Sequence, residues 1–584
     1  MSAIRLPDKQ PAVPHMPCIG VFATGDPRID EESRARCVNI VGMVADILAD
    51  RVKLPDGSPV KVVCSPILVD SEPQADMVAR QFEAAGVDIL VCAPDTWAFP
   101  QLSLISLLSQ FPADIPLNIT CGNSGPKPGV VFAHAASGAI SQYGKLVHLN
   151  VGTWPDTGQD PQMTAGTADA LVDWAYAAVT RVALKGRRVV IFGHDSMGME
   201  TALAHILPTR NHFGLEITRL DMKLLADMLT KKSYDEAELK ALRAWLEKMV
   251  GKGIELPDQA ASDRLNTSLA MYLITRDLLA DLNAVGGGFM SQLEWGSDLR
   301  GIPLPVADVM ESLFNATFDH NGRKAPTPYA TEADVQGLLT MLFFTWLSGG
   351  NPPLFMDFRK VWEPWEINAK AEELGVGGRC ECADTCSCDP LEPDALWRRK
   401  GLVDGDNSGS ASFDWAAMPG ASPEEIMANI ALPLAEDFYF PGRGNCANFV
   451  TPGGIDGIAA RVAYSGTSNV FSLIWDEATT VSLPEKLSEA VCATSTPIWP
   501  HTFVVPKYAT MGEYKQFAPA NHFHMTWDLK PARVEYWMDL CNVLSVAPWQ
   551  ARPGYIEGVD RPTPLLYLLN GGETATKMAL AKKK

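Results

Sequence analysis

Two carboxylates stand at the two ends of one predicted helix-to-strand unit, within residues 329–364. Glu332 lies where a helix is predicted to begin, and Asp357 follows the short apolar run 354–356. If each acid follows a parallel strand, both reach the sheet edge at which open α/β folds bind their ligands. Two carboxylates meeting there indicate a divalent-metal site or an acid–base pair. The alternative interpretation is a helix-capping Glu and an unrelated Asp.

A second group with metal-binding chemistry is the segment NHFH at 521–524. If the segment is extended, His522 and His524 lie on the same face, because side chains alternate along a strand. One of these imidazoles, together with Glu332 and Asp357, would give a mixed donor set that suits Mn²⁺, Fe²⁺, Co²⁺ or Mg²⁺. Structural Zn²⁺ would favour thiolates instead. The alternative is that both histidines have structural roles.

The helix between the two acids must position them. We expect Thr331 to be its N-cap, Glu332 to lie in its first turn, and the apolar run 338–347 to form its buried body. Gly349 ends the helix, and the two prolines that follow prevent its continuation. A strand before Thr331 would place Glu332 at the carboxyl end of a parallel strand.

Alternating strands and helices predict α/β domains in the first half of the chain. Strands are expected at 18–23, 62–64, 88–92 and 130–133, and helices at 31–50 and 74–85. A second α/β unit begins at Arg187. Beyond residue 420, short strands at 458–463, 470–475 and 502–505 indicate antiparallel β structure. The predicted fold class is therefore α/β, with two N-terminal domains on parallel sheets (1–170 and 171–350) and a β-rich C-terminal domain (351–584).

The composition excludes several kinds of partner. The chain has 584 residues, a formal net charge of −20 and no long basic stripe, so nucleic acid is not an expected partner. No apolar run approaches the ~20 residues of a membrane span, and the first residues lack the apolar core of a signal peptide. Eight of the 12 cysteines are scattered, which suits a reducing compartment. We therefore expect a cytoplasmic protein that does not bind membranes.

Three further features have both structural and functional interpretations. The turn at 193–198 follows a strand and opens a helix, as in dinucleotide sites, but it lacks the GxGxxG spacing. The insert near 380–388 contains Cys380, Cys382, Cys386 and Cys388. These cysteines are too close together for an ordinary zinc site, so we interpret the insert as an exposed loop with an adventitious or regulatory metal. Three tryptophans near polar residues are either core residues or covers for the apolar face of a sugar, namely Trp97, Trp295 and Trp499.

Together these motifs resemble the L-fucose isomerase family, metal-dependent ketol isomerases that also take D-arabinose. The likeness is strongest in 314–364, which contains NATFDHNGRKAPTPYATEADVQGLL and FMDFRKVWEP. It recurs in order along most of the chain, in SMG at 196–198, KSYDEAEL at 232–239, NSGS at 407–410 and PANH at 519–522.

The resemblance implies a site and a reaction. The family's metal ligands fall on Glu332, Asp357 and His522, and the expected cofactor is Mn²⁺ or another divalent cation such as Co²⁺ or Mg²⁺. Glu332 and Asp357 are also the expected catalytic acids, in an aldose–ketose isomerisation through a metal-stabilised enediol. The family's substrate contacts fall on Arg28, Trp97, Gln292, Ser408, Tyr439 and Asn521.

The resemblance also implies an assembly. The family fold has a barrel-like part in its C-terminal domain and forms a homohexamer or another trimer-based oligomer. Arg28 and Trp97 are then expected to reach the Glu332 site from a neighbouring subunit.

Departures from the family pattern leave alternatives open. The cysteine insert, the His194-Asp195 pair, and Phe503 at a place where Trp is usual all bear on substrate choice or assembly. A different aldose is one alternative, and a hydride shift is the rival of the enediol mechanism. Alternatives of another class are a non-catalytic sugar-binding protein and an NAD(P)-dependent oxidoreductase that uses the turn at 193–198.

Overall fold

The chain folds into two units in a computed structural model. The structure describes residues 16–122, 129–152, 154, 162–194, 198–290, 304–376, 393–407, 411–435, 442–466, 469–517 and 520–546. The smaller unit contains the described residues up to Lys185 together with Ala532–Cys541, and the larger unit contains those of Gly186–Pro531 and 542–546. Among the described residues, no helix is long and apolar enough to cross a membrane.

The smaller unit is built on a five-stranded parallel sheet of order β2-β1-β3-β4-β5. Its elements are β1 (Cys18–Phe22), α1 (Glu31–Arg51), β2 (Lys61–Cys64), α2 (Glu72–Ala85), β3 (Ile89–Cys92), α3 (Ser106–Leu108), β4 (Leu117–Gly122), α4 (Gly129–Gln142), β5 (His148–Gly152) and α5 (Ala165–Leu184). The predicted parallel α/β organisation of this region is therefore confirmed.

The strand predicted at 130–133 is wrong, because this segment lies in α4. Two adjacent valines favour a strand locally. The buried residues of α4 nevertheless recur at helical spacing, at Phe132, Ala133, Ala136 and Ile140. The longer period decides the structure, because it allows one face of a helix to pack on the core.

The larger unit begins with a four-stranded parallel sheet of order β11-β8-β6-β7. The elements of this part are β6 (Arg188–Phe192), α6 (Ile206–Phe213), β7 (Glu216–Leu220), α7 (Met222–Thr230), α8 (Glu236–Met249), α9 (Gln259–Asp281), β8 (Ala284–Phe289), α10 (Asp308–Asn315), β9 (Phe318–Asp319), β10 (Gly322–Arg323), β11 (Tyr329–Thr331) and α11 (Val335–Leu347).

A seven-stranded mixed sheet completes the larger unit, in the order β14-β17-β12-β13-β16-β15-β18. Its neighbouring strands are antiparallel except for β15 and β18. The elements are β12 (Leu354–Trp362), α12 (Pro364–Glu373), α13 (Pro393–Lys400), β13 (Leu402–Asp406), α14 (Pro423–Met427), β14 (Asp456–Ser465), β15 (Val470–Thr480), α15 (Glu485–Cys492), β16 (His501–Pro506), α16 (Met511–Phe517), β17 (His522–Trp527) and β18 (Leu544–Val546). Helix α17 (Pro531–Cys541), which precedes β18 in the chain, belongs to the smaller unit from Ala532 onward.

The predicted antiparallel strands of the C-terminal region are confirmed. Because β14 also pairs with β15, the hydrogen-bonded circuit of six strands returns to its starting strand. The pairings show which strands are neighbours and do not give the shape of the sheet, so the barrel-like geometry stays a prediction. The domain limits 1–170, 171–350 and 351–584 also stay predictions.

Helix α11 packs between the two sheets of the larger unit. It contacts β8 and β11 of the parallel sheet and β14 and β17 of the mixed sheet. All but one of its residues are buried, which explains why the sequence of this helix is apolar on every face. The start of α11 therefore lies where both sheets can contribute side chains.

Candidate active site

Glu332 lies on a sharp turn between β11 and α11. Glu332 and Ala333 both have left-handed backbone, with φ of 59° and 54°, a conformation that non-glycine residues adopt at a cost and often at functional sites. The N-cap of α11 is Asp334, whose side chain accepts a hydrogen bond from the amide of Gly337 at 2.9 Å. The predicted N-cap at Thr331 is therefore wrong, because Thr331 is the last residue of β11 and pairs with β8. Glu332 follows the end of a parallel strand and precedes the helix.

Asp357 lies within β12 and does not end it, because this strand continues to Trp362. The condition that Asp357 follows a parallel strand is not met, since β12 belongs to the mixed sheet and is antiparallel to both of its neighbours. Those neighbours come much later in the chain, so the local pattern could not reveal the pairing. In this register Asp357 stands opposite His522 on β17 and Asp406 on β13.

Glu332, Asp357 and His522 converge, although they come from three separate segments. The Nε2 atom of His522 lies 3.4 Å from Oε2 of Glu332 and 3.2 Å from Oδ1 of Asp357. Burial disfavours a charged imidazole, but Asp357, Asp334 and Glu332 together raise the pKa of His522 well above its usual value. Asn521 donates from Nδ2 to Oδ1 of Asp357 at 3.3 Å. Four of the predicted site residues therefore lie together in the larger unit.

A buried ion pair holds the imidazole through its other nitrogen. Nδ1 of His522 donates to Oδ2 of Asp334 at 2.7 Å. Arg461 binds both oxygens of Asp334, with Nη2 2.9 Å from Oδ1, and also donates to the carbonyl of Thr201 at 2.7 Å. Burial would raise the pKa of Asp334, but Arg461 and His522 hold it well below its usual range. Sequence reasoning missed this pair; an arginine inside an otherwise apolar strand was the available signal.

His524 shares the face of β17 with His522 but does not reach the acids. Its ring packs edge-on against Phe355, with centroids 4.9 Å apart, and neither ring nitrogen has a hydrogen-bond partner among the described residues. Burial, aided by Arg461, lowers the pKa of His524 well below its usual value. The alternation of the two histidines correctly predicted a shared face of β17. In the structure His522 contacts the acids, whereas His524 packs against Phe355.

Two buried acids on α10, Asp308 and Glu311, lie near the turn that carries Glu332. Glu311 accepts a hydrogen bond from Oγ1 of Thr331 at 2.8 Å. Burial raises the pKa of Asp308 well above its usual value, and the charges of Glu311 and Glu332 raise it further. Sequence reasoning did not select either acid. The raised pKa favours the neutral form of Asp308 beside Glu332.

The converging residues suit a divalent cation in their chemistry and spacing. Two carboxylates and an imidazole are donors that Mn²⁺, Co²⁺ and Mg²⁺ accept, and Asp334 on Nδ1 directs Nε2 of His522 at the carboxylates. Two ligands at right angles, about 2.1 Å from a cation, lie about 3.0 Å apart. The separations of 3.2 and 3.4 Å are close to that value. In the described part of the chain no three His, Cys, Asp or Glu side chains already enclose a common metal position, so metal binding would require these side chains to move closer together.

Arg28 and Trp97 lie on one surface of the smaller unit, beyond the carboxyl ends of β1 and β3. The guanidinium of Arg28 lies over the ring of Phe99, 5.7 Å from its centroid, and the ring of Trp97 meets Phe99 edge-on at 5.8 Å. Arg28 also pairs with Asp26 at 2.5 Å, which lowers the pKa of Asp26 to about 2. These two predicted substrate residues are therefore brought together within their own unit.

Several predicted residues lie outside the described residues. These are Gln292, Ser408, Tyr439, Trp295, Cys380, Cys382, Cys386 and Cys388. The turn predicted at 193–198 is described only in part. Trp499, in contrast, is described and almost fully buried, with 3% of its surface exposed.

Comparison with known proteins identifies the family. Sequence models of the first and second N-terminal domains of L-fucose isomerase match residues 16–186 and 188–349. The L-fucose isomerase of Streptococcus pneumoniae strain CGSP14 is 24% identical over 537 residues, which covers 85% of this chain and 86% of that enzyme. The L-fucose isomerase of S. pneumoniae serotype 2 strain D39 is 25% identical with the same coverage. This chain belongs to the L-fucose isomerase family, and it is an aldose–ketose isomerase.

Proposed function

We propose that this enzyme interconverts L-fucose or D-arabinose with the corresponding ketose, through a metal-stabilised enediol and with Mn²⁺ as the preferred cation. One observation carries the proposal: Glu332 and Asp357 converge on Nε2 of His522 in a chain whose relatives are named L-fucose isomerases. A sugar without charge also suits a protein with a strongly negative net charge.

The protein groups around the site have complementary roles in this reaction. A divalent cation bound there would draw charge from O1 and O2 of the open-chain sugar and so stabilise the enediol. Of Glu332 and Asp357, one moves the proton between C1 and C2, and the other assists proton transfer between the two oxygens. Asn521 orients the carboxylate of Asp357 through its hydrogen bond. Asp334 keeps the ring of His522 in a fixed orientation.

An isomerase screen tests the proposed substrate. The purified protein, supplied with Mn²⁺, is incubated with L-fucose, D-arabinose and other aldoses, and ketose formation is measured without any nicotinamide cofactor. We expect L-fucose or D-arabinose to give the highest kcat/KM. Conversion of neither sugar, with efficient conversion of a different aldose, would contradict the substrate assignment. A strict requirement for NAD(P) would contradict the reaction itself.

Solvent deuterium distinguishes the enediol from a hydride shift. When the reaction runs in D₂O, a carboxylate that takes up the C2 proton exchanges it with solvent before returning it. We therefore expect deuterium at C1 of the ketose. Complete absence of deuterium from the product would favour a hydride shift.

We further propose a cytoplasmic location and a homohexamer, or another trimer-based assembly, whose sites are completed by Arg28 and Trp97 of a neighbouring subunit. The described cysteines are all free thiols, which supports a reducing compartment. The shared contact of Arg28 and Trp97 with Phe99 supports a common role for these two residues.

A further inference from the structure

A second carboxylate stands beside the candidate metal centre. Asp406 on β13 is directly opposite Asp357 on β12. Directly opposed residues of antiparallel strands project from the same face, with Cβ atoms about 4.5–5.5 Å apart. The side chain of Asp406 is fully buried. The sheet therefore presents two neighbouring carboxylates on the face that carries the site.

Asp406 is held by Arg359. The register of β12 against β13 shifts between Phe358 and Lys360, which makes Arg359 the extra residue of a bulge. Bulges beside active sites redirect individual side chains. Nε of Arg359 donates to both oxygens of Asp406, at 2.8 and 3.0 Å.

Trp499 supports this arginine. The guanidinium of Arg359 lies over the indole ring, 4.7 Å from its centroid, and the ring itself is buried. A stacked guanidinium has few alternative rotamers, so its direction toward Asp406 is fixed. One face of the Trp499 ring is covered by Arg359, which indicates that Trp499 supports this arginine. A covered and buried ring is not available to stack against the apolar face of a sugar.

We propose that Arg359 is a positioning residue that keeps Asp406 away from the cation, so that Asp357 alone of the two opposed carboxylates binds the metal. This inference rests on the proposed metal-dependent isomerase function. Two sugar oxygens can bind the cation only if two coordination positions stay open. A released Asp406 carboxylate would occupy one of these positions.

The test combines metal binding with turnover in Arg359→Met, a variant that keeps the side-chain length and the contact with Trp499 but cannot bind Asp406. Metal-stripped protein is titrated with Mn²⁺ and the free ion is measured by electron paramagnetic resonance. We expect the Kd for Mn²⁺ to fall about tenfold, because an additional carboxylate joins the site. We expect kcat for the preferred aldose to fall about tenfold or more as an open position is lost.

A double variant and a neighbouring control make the test specific. Arg359→Met combined with Asp406→Asn removes the competing carboxylate, so both the Kd and kcat should return toward the wild-type values. Lys360→Met removes a positive charge at the next position, where the ammonium lies over the ring of Trp362, and should change neither quantity. If Arg359→Met does not fold, Arg359→Gln takes its place: it also removes the charge that holds Asp406, and the same tightening of Mn²⁺ binding is expected.

Unchanged or weaker Mn²⁺ binding in Arg359→Met would overturn the inference, and so would a double variant that behaves like the single one. Unchanged or weaker binding in Arg359→Gln, where that variant replaces Arg359→Met, would do the same. A wild-type protein that binds no Mn²⁺ or forms no ketose would instead contradict the proposed function, so the two failures are distinguishable.

Discussion

At the scale of single residues, the site depends on the backbone conformation that directs the carboxylate of Glu332 toward His522. Two consecutive non-glycine residues, Glu332 and Ala333, have positive φ angles. Such backbone persists only where surrounding contacts determine it. Here the strand pairing of Thr331 and the cap formed by Asp334 fix the two ends of the turn. The strained turn thus directs Glu332 at His522.

Neutral isosteres of the two acids test their catalytic role. We expect Glu332→Gln and Asp357→Asn each to lower kcat by about 10²- to 10⁴-fold, the usual contribution of a positioned proton-transfer group. The melting temperature should change little, because both side chains are partly exposed. Steady-state kinetics with added Mn²⁺ measure the effect. Glu477→Gln, which alters a surface pair with Lys507, is the control; near-normal turnover in either site variant would refute the assignment.

At the scale of elements, the first turn of α11 requires a residue without a side chain. A Cβ atom at Gly337 would lie 2.6 Å from Oδ2 of Asp334, 2.8 Å from Nη1 of Arg461 and 2.8 Å from Nε2 of His524. Asp334 and Arg461 form the buried ion pair that holds His522. The glycine therefore permits the helix to approach β14 and β17 closely.

We predict that Gly337→Ala lowers the unfolding free energy by about 1–3 kcal/mol, the cost of overpacking a buried region. It should also weaken Mn²⁺ binding, because displacement of Asp334 reorients His522. Urea denaturation and a Mn²⁺ titration measure the two effects. Gly42→Ala in α1 is the matched control, since a Cβ at this position would meet no atom within 4 Å. This substitution should stabilise the helix by about 0.5–1 kcal/mol. Equal effects of the two substitutions would contradict the close-packing argument.

The pairing of β13 with β16 contains a buried pH-sensitive contact. Nδ1 of His501 lies 2.9 Å from Oδ1 of Asp404. Burial opposes protonation of His501, but the hydrogen bonds with Asp404 and Cys492 outweigh it and raise its pKa to about 11. The unfolded chain has a His pKa of about 6.5. The stabilising contribution is therefore complete below about pH 6.5 and is lost progressively as the pH rises toward 11.

We expect the unfolding free energy of the wild type to fall between pH 7 and pH 9 relative to that of His501→Gln, by up to about 1.4 kcal/mol per pH unit. Urea denaturation of both proteins at several pH values measures the difference. The comparison removes the contribution of titrating groups that do not interact with His501, since both proteins share them. Parallel pH profiles would show that the contact does not carry this linkage.

Local patterns predicted the elements better than they predicted the partners of those elements. The helix at 31–50 and the strands at 458–463 and 470–475 were predictable from apolar periodicity, and the structure has α1, β14 and β15 there. The strand at 130–133 failed because two valines gave a local signal that the longer helical period overrides. The sheet that contains Asp357 could not be inferred, because its pairing partners are remote in sequence.

The candidate site was partly predictable for the same reason. The acids and the NHFH segment have recognisable chemistry, so Glu332, Asp357 and His522 could be selected from residue type and family resemblance. Residue type could not reveal that Arg461 binds Asp334, because an ion pair between remote segments leaves no local pattern. Only the fold distinguishes His522, which contacts Glu332 and Asp357, from His524, which lies on the same face of β17 without contacting these acids.

At the scale of the whole molecule, the predicted site residues are divided between two units. Arg28 and Trp97 belong to the smaller unit, whereas Glu332, Asp357 and His522 belong to the larger one. A site completed by neighbouring copies would make activity a property of the oligomer and not of one chain.

Mixed oligomers test this shared site. We expect Arg28→Ala and Glu332→Gln to be inactive as pure proteins and to regain about one quarter of wild-type activity when co-expressed in equal amounts, because random assembly leaves about one site in four with both intact residues. Turnover per chain measures the recovery. Co-expression of Glu332→Gln with Asp357→Asn is the control and should restore nothing, since both residues belong to one unit. No recovery in the first mixture would argue that each chain supplies its own Arg28.

The most direct test of the proposed chemistry is the rate of ketose formation from L-fucose and D-arabinose by metal-stripped protein, measured as Mn²⁺ is added back. We expect no turnover without the cation, and a rate that saturates in proportion to the Mn²⁺ bound at Glu332, Asp357 and His522. Full activity of the stripped protein, or no ketose from either sugar at saturating Mn²⁺, would contradict a metal-dependent isomerase of this specificity.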